Sequence, residues 1–197
     1  MAYVAASDIV QYGDWASSDD DALLTVLIPR ATAIIEEYTG RCFEATSDIR
    51  YFDAIEDIDG MTLWLDKDLA VLDSDTVITN GDGNTIPSTD VVTEPRNDAP
   101  FYAIRILNSS GSWWTYSSDN ENAISVDGLW GYSTSPPADI QHATIRLVKW
   151  LYDQRKTDED LNRPILLDGG HMVMPGRLPA DVMDIIRHYK RGRYYSS

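Results

Sequence analysis

The chain has 197 residues, 43% of them hydrophobic, ordinary proportions for a folded protein able to bury a core. Thirty-two acidic residues stand against 16 basic ones, a formal charge of −16, which argues against a nucleic-acid coat, because phosphate binding draws its affinity from Lys and Arg. No run reaches the roughly 18 apolar residues of a membrane helix, residues 1–8 lack the basic and apolar regions of a secretion signal, and Cys42, the only cysteine, excludes an intrachain disulfide. A soluble chain made in the cytoplasm, without redox chemistry, is expected.

Ser7 to Trp15 has the texture of a short helical turn. From Asp20 to Tyr38, the residues Leu23, Leu24, Leu27, Ile28, Ala31, Ile34, Ile35 and Tyr38 fall on one helical stripe, with Ser17 or Ser18 as N-cap and Gly40 as the stop. Pro29 lies inside that stripe and predicts a kink or a displaced helix start, since proline lacks the backbone donor.

Between Ile49 and Val126 short apolar-polar alternations are separated by Gly, Pro, Asn and Asp clusters, the pattern of strands and turns. The runs are Ile49–Asp53, Met61–Leu65, Thr76–Thr79, Val91–Thr93, Phe101–Leu107, Trp113–Tyr116 and Ala123–Val126, and their order suggests an antiparallel meander. Asn80-Gly81-Asp82-Gly83-Asn84 superficially matches a calcium loop but lacks its terminal glutamate, so a hairpin turn is the expectation. Trp113, Trp114 and Tyr116 fit either a sheet core or a stacking surface.

Pro137 to Arg155 forms a second amphipathic helix, with Ile140, Ala143, Thr144, Leu147, Val148 and Leu151 on its buried face and Asp139 at its positive end. Residues 157–177 read as an irregular loop interrupted by Pro164, Gly169, Gly170, Pro175 and Gly176. Pro179 to Arg191 closes the pattern as a third helix, acidic early and basic late. The fold class is α+β: a small bundle of the first helix and the two C-terminal helices, with a mid-chain antiparallel β insertion at 44–132. A single domain over 1–197 is expected, ending in a basic tail at 187–197.

The catalytic motifs searched for are absent: no phosphate-binding glycine loop, no Gly-x-Ser-x-Gly, no His-Glu-x-x-His. His142, His171 and His188 are dispersed, and a histidine with a carboxylate, for instance His142 or His188 with an acid from another segment, is an unremarkable general-base candidate among 32 acids. The acidic clusters Asp19-Asp20-Asp21 and Glu56, Asp57, Asp59 read as solvated surface. No enzymatic activity, cofactor or metal is expected.

Val126-Asp127-Gly128-Leu129-Trp130-Gly131-Tyr132, then Pro136-Pro137 and a helix ending Trp150-Leu151-Tyr152, resembles the signature of tailed-bacteriophage head-to-tail adaptor proteins. Two further segments resemble that family in the same order: Ile35-Glu36-Glu37-Tyr38-Thr39-Gly40-Arg41-Cys42-Phe43 and Leu178-Pro179. In this pattern Gly128, Trp130, Gly131, Tyr132 and Pro137 form a structural corner between strand and helix.

The resemblance implies a virion protein of the neck, arranged as a ring of about twelve copies. Such a ring docks on the portal, contacts a downstream neck or tail protein, and passes DNA without binding it specifically, away from any membrane. Another virion component, a tail terminator or a carbohydrate-binding fibre module, is the alternative. The last eleven residues carry four bases and no acid, and interfaces favour Arg and Tyr. Arg187, Lys190, Arg191, Arg193, Tyr194 and Tyr195 are therefore the portal-binding candidates. Channel-facing acid candidates are Asp57, Asp59, Asp66, Asp68, Asp73, Asp75, Asp119 and Glu121.

Overall fold

A computed structural model describes residues 2–13, 17–154, 165–167, 171–173 and 178–192. The chain divides into two compact units, one of residues 1–40 with 137–191 and one of residues 41–136 with 192–197.

The first unit holds four α-helices among the described residues: α1 (Ala6–Tyr12), α2 (Asp21–Thr39), α3 (Ala138–Gln154) and α4 (Ala180–His188). α2 contacts the other three, and α3 also contacts α4. In α2, Leu24, Leu27, Ile28, Ala31 and Ile35 are buried, three or four positions apart, as a single helical face demands. Pro29 does not displace the helix start, because α2 runs through it from Asp21. Pro29 is exposed, and so is Thr25, whose carbonyl loses the missing donor and stays open to water. Ser17 caps the 3-10 turn Ser18–Asp20 that leads into α2, exchanging bonds with Asp20. Gly40 ends the helix at φ +67 with its N–H on the Glu36 carbonyl, a left-handed cap suited to glycine.

α3 buries Ile140, Ala143, Leu147, Val148 and Leu151 on the expected face. α4 is shorter than read from sequence and stops at His188. Within the segment taken as irregular, β9 (Ile165–Leu167) and β10 (His171–Val173) pair as a small antiparallel hairpin. The remainder of 155–177 lies outside the described residues.

The second unit is an eight-stranded sheet larger than a mid-chain insertion, with a core of its own. Its strands are β1 (Thr46–Phe52), β2 (Ile58–Asp59), β3 (Thr62–Val71), β4 (Val77–Thr79), β5 (Thr85–Ile86), β6 (Val91–Glu94), β7 (Phe101–Ile106) and β8 (Ile124–Trp130). All pair antiparallel in the order β5-β4-β8-β3-β7-β6, with β1 also on β8 and β2 on β3. The meander is thereby corrected. β8, last in sequence, is the hub, with β1 along one edge and β3 and β4 along the other. Phe52, Leu63, Ile104, Ile124, Val126 and Trp130 belong to the sheet's buried cluster. Trp113–Tyr116 is not a strand, Tyr116 making only an isolated bridge to Gly81.

Candidate assembly surfaces

The Gly-x-Trp-Gly-Tyr segment is more strand than turn, since β8 continues through Gly128 and Trp130 and the chain leaves the ladder only at Gly131. Trp130 is 3% exposed. Its indole N–H donates to the Asp48 carbonyl at 2.9 Å, its ring lies 6.0 Å from that of Phe52, and the Arg50 guanidinium sits over it at 5.5 Å. Arg50 is itself fixed by Asp66, through an Nε–Oδ1 bond of 2.8 Å and a second contact.

The two glycines do different work. A Cβ on Gly128 would meet the flexible tip of Leu69 at 3.1 Å, whereas on Gly131 it would meet the Ala45 backbone at 2.6 Å. The Gly131 N–H donates to Asp68 O, the Tyr132 N–H to Cys42 O, and the Ala45 N–H to Ser133 O, which stitches this corner to β3 and to residues 42–45. Tyr132 packs on Phe43 and under the Arg41 guanidinium, at 5.4 Å in each case. Pro137 belongs to the helical unit, where its carbonyl accepts the Gln141 N–H at the start of α3.

Arg187, Lys190 and Arg191 stand at or just beyond the end of α4. Arg187 is exposed and pairs loosely with Asp184 at 3.7 Å. With Tyr38, Leu178, Ala180, Met183 and Asp184 it lines an open hollow of about 610 Å³ within the helical unit. The Lys190 Nζ lies over the Tyr38 ring at 5.6 Å, and the Arg191 N–H donates to the Thr39 carbonyl at 2.8 Å. These cations thus gather where both α2 and α4 present the negative ends of their dipoles. Arg193, Tyr194 and Tyr195 lie outside the described residues.

The acidic candidates separate by environment. Asp68 is 5% exposed and bonded to Arg41 at 2.6 Å, so it cannot face a channel, and that expectation is corrected. Asp66 is engaged by Arg50, Asp57 accepts the Asp53 N–H, and Asp73 caps the turn at Asp75 and Thr76. Asp66 and Asp73 are nonetheless exposed, as are Asp59, Asp75, Glu121 and Asp119, the last accepting the Glu121 N–H.

Asn80–Asn84 is the turn between β4 and β5, closed by the Asn80 N–H on Asn84 O. Asp82 there accepts the Asn84 N–H, which holds its carboxyl below the usual range. The buried Asn80 side chain bonds Trp113 O and the Thr115 N–H and so anchors the following loop, a role its turn context did not announce. In that loop Trp114 tucks inward with its N–H on Met61 O, while Trp113 and Tyr116 are exposed. His142 meets the Tyr12 ring and hydroxyl, and the His188 Nδ1 meets the Asp184 carbonyl. Neither contact is a histidine–carboxylate pair. Among the described residues no set of three His, Cys, Asp or Glu converges as metal ligands, and no helix is long and apolar enough to cross a membrane.

Two surfaces went unread in the sequence. Ile49 and Val77 flank Asp127 across three strands, and Tyr51 lies one row along, all three apolar side chains exposed. Elsewhere on the sheet, Arg96 and Arg105 line a hollow of about 280 Å³ with Val92, Ile106, Leu107, Asn108 and Ser109.

No protein-family profile and no curated protein matches the chain by sequence. Among solved structures, the fold is similar to a chain in the neck of an empty gene transfer agent particle computed with C6 symmetry. That match has a TM-score of 0.59 at 17% identity and covers 99% of this chain and 93% of that one. A chain in the virion of a native gene transfer agent particle is similar at TM-score 0.57 and 16% identity, with the same coverage. At such identities the likeness establishes a shared fold.

Proposed function

We propose that this chain is a structural subunit of the neck of a phage-like particle, a head-to-tail adaptor that forms a ring under the portal, extends the DNA channel and connects capsid to tail. The observation that carries this reading is the likeness of fold over nearly the whole chain to a chain from a gene transfer agent neck. The adaptor-like order of Tyr38-Thr39-Gly40, Gly128-Leu129-Trp130-Gly131-Tyr132 and Leu178-Pro179 supports it independently.

A sixfold neck is compatible with a ring of about twelve copies, since closed cyclic assembly requires only that one interface repeat around the axis. In this reading Arg187, Lys190 and Arg191, continuing into Arg193, Tyr194 and Tyr195, reach the portal, and the opposite end of the ring meets the next neck or tail protein. Exposed carboxylates such as Asp59, Asp75, Asp119 and Glu121 would keep passing phosphates from sticking wherever they line the channel, within a screening distance of roughly 8 Å. The work is assembly and conduction, without turnover, in the virion.

Exposed Trp113 and Tyr116 favour a second reading, a carbohydrate-binding fibre module, because aromatic faces stack on sugars. Negative-stain images of the purified chain, alone and mixed with portal, separate the two. Rings, free or seated on portal, are expected of the adaptor, whereas trimers or rods indifferent to portal would overturn it.

A further inference from the structure

A ring of acidic subunits must overcome repulsion between like-charged neighbours, so cations not consumed inside one copy are where attraction between copies can act. The sheet unit has five cations between residues 41 and 136: Arg41, Arg50, Lys67, Arg96 and Arg105. Arg41 is closed onto Asp68 and Arg50 onto Asp66. Lys67 is exposed on β3. Arg105 is different, for it is half-buried and its guanidinium makes no ion pair or side-chain hydrogen bond among the described residues.

The setting of Arg105 has the form of a receptor for a carboxylate. It stands on β7, directly opposite Val92 of the neighbouring β6 and Thr62 of β3, and it shares the 280 Å³ hollow with Arg96. Val92 and Leu107 supply apolar lining, and Asn108 and Ser109 supply further polar groups. Of the acids around it, Glu94 makes a long 3.6 Å contact with Arg96, Asp90 accepts the Ser112 hydroxyl, and Asp59 stands opposite Thr62 in the same cross-strand row. A guanidinium offers five N–H donors in a fixed planar fork that fits a carboxylate with two parallel bonds, and partial burial strengthens such a bond. The chain's formal charge of −16 disfavours a nucleic-acid backbone as the occupant.

We infer that the Arg96–Arg105 hollow receives an exposed carboxylate side chain from a second copy of this chain. Charge complementarity identifies the occupant, since the same molecule carries 32 acids and its exposed surface presents Asp59, Asp75, Asp119 and Glu121. The contact is head-to-tail, one copy's hollow taking another copy's acid, the form of interface that closes into rings. This inference rests on the ring reading above.

The test measures the mass distribution of the full chain at low and high salt, for wild type, Arg105→Glu and Arg105→Lys, with circular dichroism to check folding. Wild type should assemble, weakly at high salt. Arg105→Glu should weaken assembly at least about tenfold with an unchanged spectrum, and Arg105→Lys should recover part of it, since lysine keeps the charge but loses the fork. Normal assembly by a folded Arg105→Glu would overturn the inference and leave the ring reading standing, while a wild type that never assembles, even with portal, would overturn both. Binding of wild type to a short DNA duplex, lost in Arg105→Glu while assembly persists, would assign the hollow to phosphate and also overturn the inference.

Discussion

In the helical unit α2 buries Leu24, Leu27, Ile28, Ala31 and Ile35 from a single run of chain, whereas in the sheet unit the Trp130 indole bonds a carbonyl 82 positions away, at Asp48. One unit takes the shape of its elements from neighbours in sequence; the other exists only when the ends of a long segment meet. β8 cannot be placed until β1, β3 and β4 are present, because it pairs with all three. The difference teaches where a single substitution should do most damage. Side chains at the closure of the long-range ladder hold more of the fold together than those on a helix face.

Trp130→Ala cuts that closure directly, removing a buried ring and its bond to Asp48, and should cost about 3–5 kcal/mol in urea unfolding. A loss below about 1 kcal/mol would mean that Trp130 does not hold the ladder. Asp68→Ala should follow, at up to about 3 kcal/mol, because it strips the partly buried Arg41 of a buried carboxylate at the same corner. Gly131→Ala should cost about 1–3 kcal/mol by forcing a Cβ into the Ala45 backbone, while Gly128→Ala, facing the movable tip of Leu69 and in ordinary contact with Thr76, should cost clearly less. Equal costs for the two glycines would break the distinction between them.

The helical unit should answer in the opposite direction or hardly at all. Pro29→Ala restores a backbone donor inside α2 and should raise stability, by up to about 3 kcal/mol on helix propensity alone. The smallest effect is expected at the α3–α4 surface pair of Arg146 and Asp181, 2.7 Å apart. Burial alone would raise the Asp181 carboxyl, but the Arg146 hydrogen bond, the Val182 N–H and the Arg146 charge outweigh it and hold the group below its ordinary value. A carboxyl depressed in the folded state adds stability above its unfolded pKa of about 3.9 and loses it as the pH falls further. Asp181→Asn should therefore cost under about 1 kcal/mol at neutral pH and flatten only the acid limb of the stability profile. An equal loss at every pH would show that charge is not what the pair contributes.

What could be read in advance follows the same division. Helical periodicity announces a face within a few turns, so α2 and α3 were legible to within two residues, and Gly40 marked the end of α2. Alternation announced most strands but not their partners, because pairing depends on residues far apart. Trp113–Tyr116 alternates as a strand would, yet the loop is governed by the buried Asn80 amide, whose reach to Trp113 O and Thr115 leaves no trace in local pattern. Asp68 looked like one more surface acid until Arg41 was found beside it, and Arg105 acquired interest only once its neighbours on β6 and β3 were known. Within the Gly-x-Trp-Gly-Tyr segment, β8 carries Gly128 and Trp130 as ladder positions, which the local pattern does not announce.

The most direct test of the central claim is a reconstruction of portal-bearing particles that lack their neck, incubated with this chain and imaged beside untreated ones. A coaxial ring should appear at the portal vertex, with the fold described here fitting its repeating density. Particles whose portal vertex is unchanged, or added density only at fibres or on the capsid surface, would contradict the assignment.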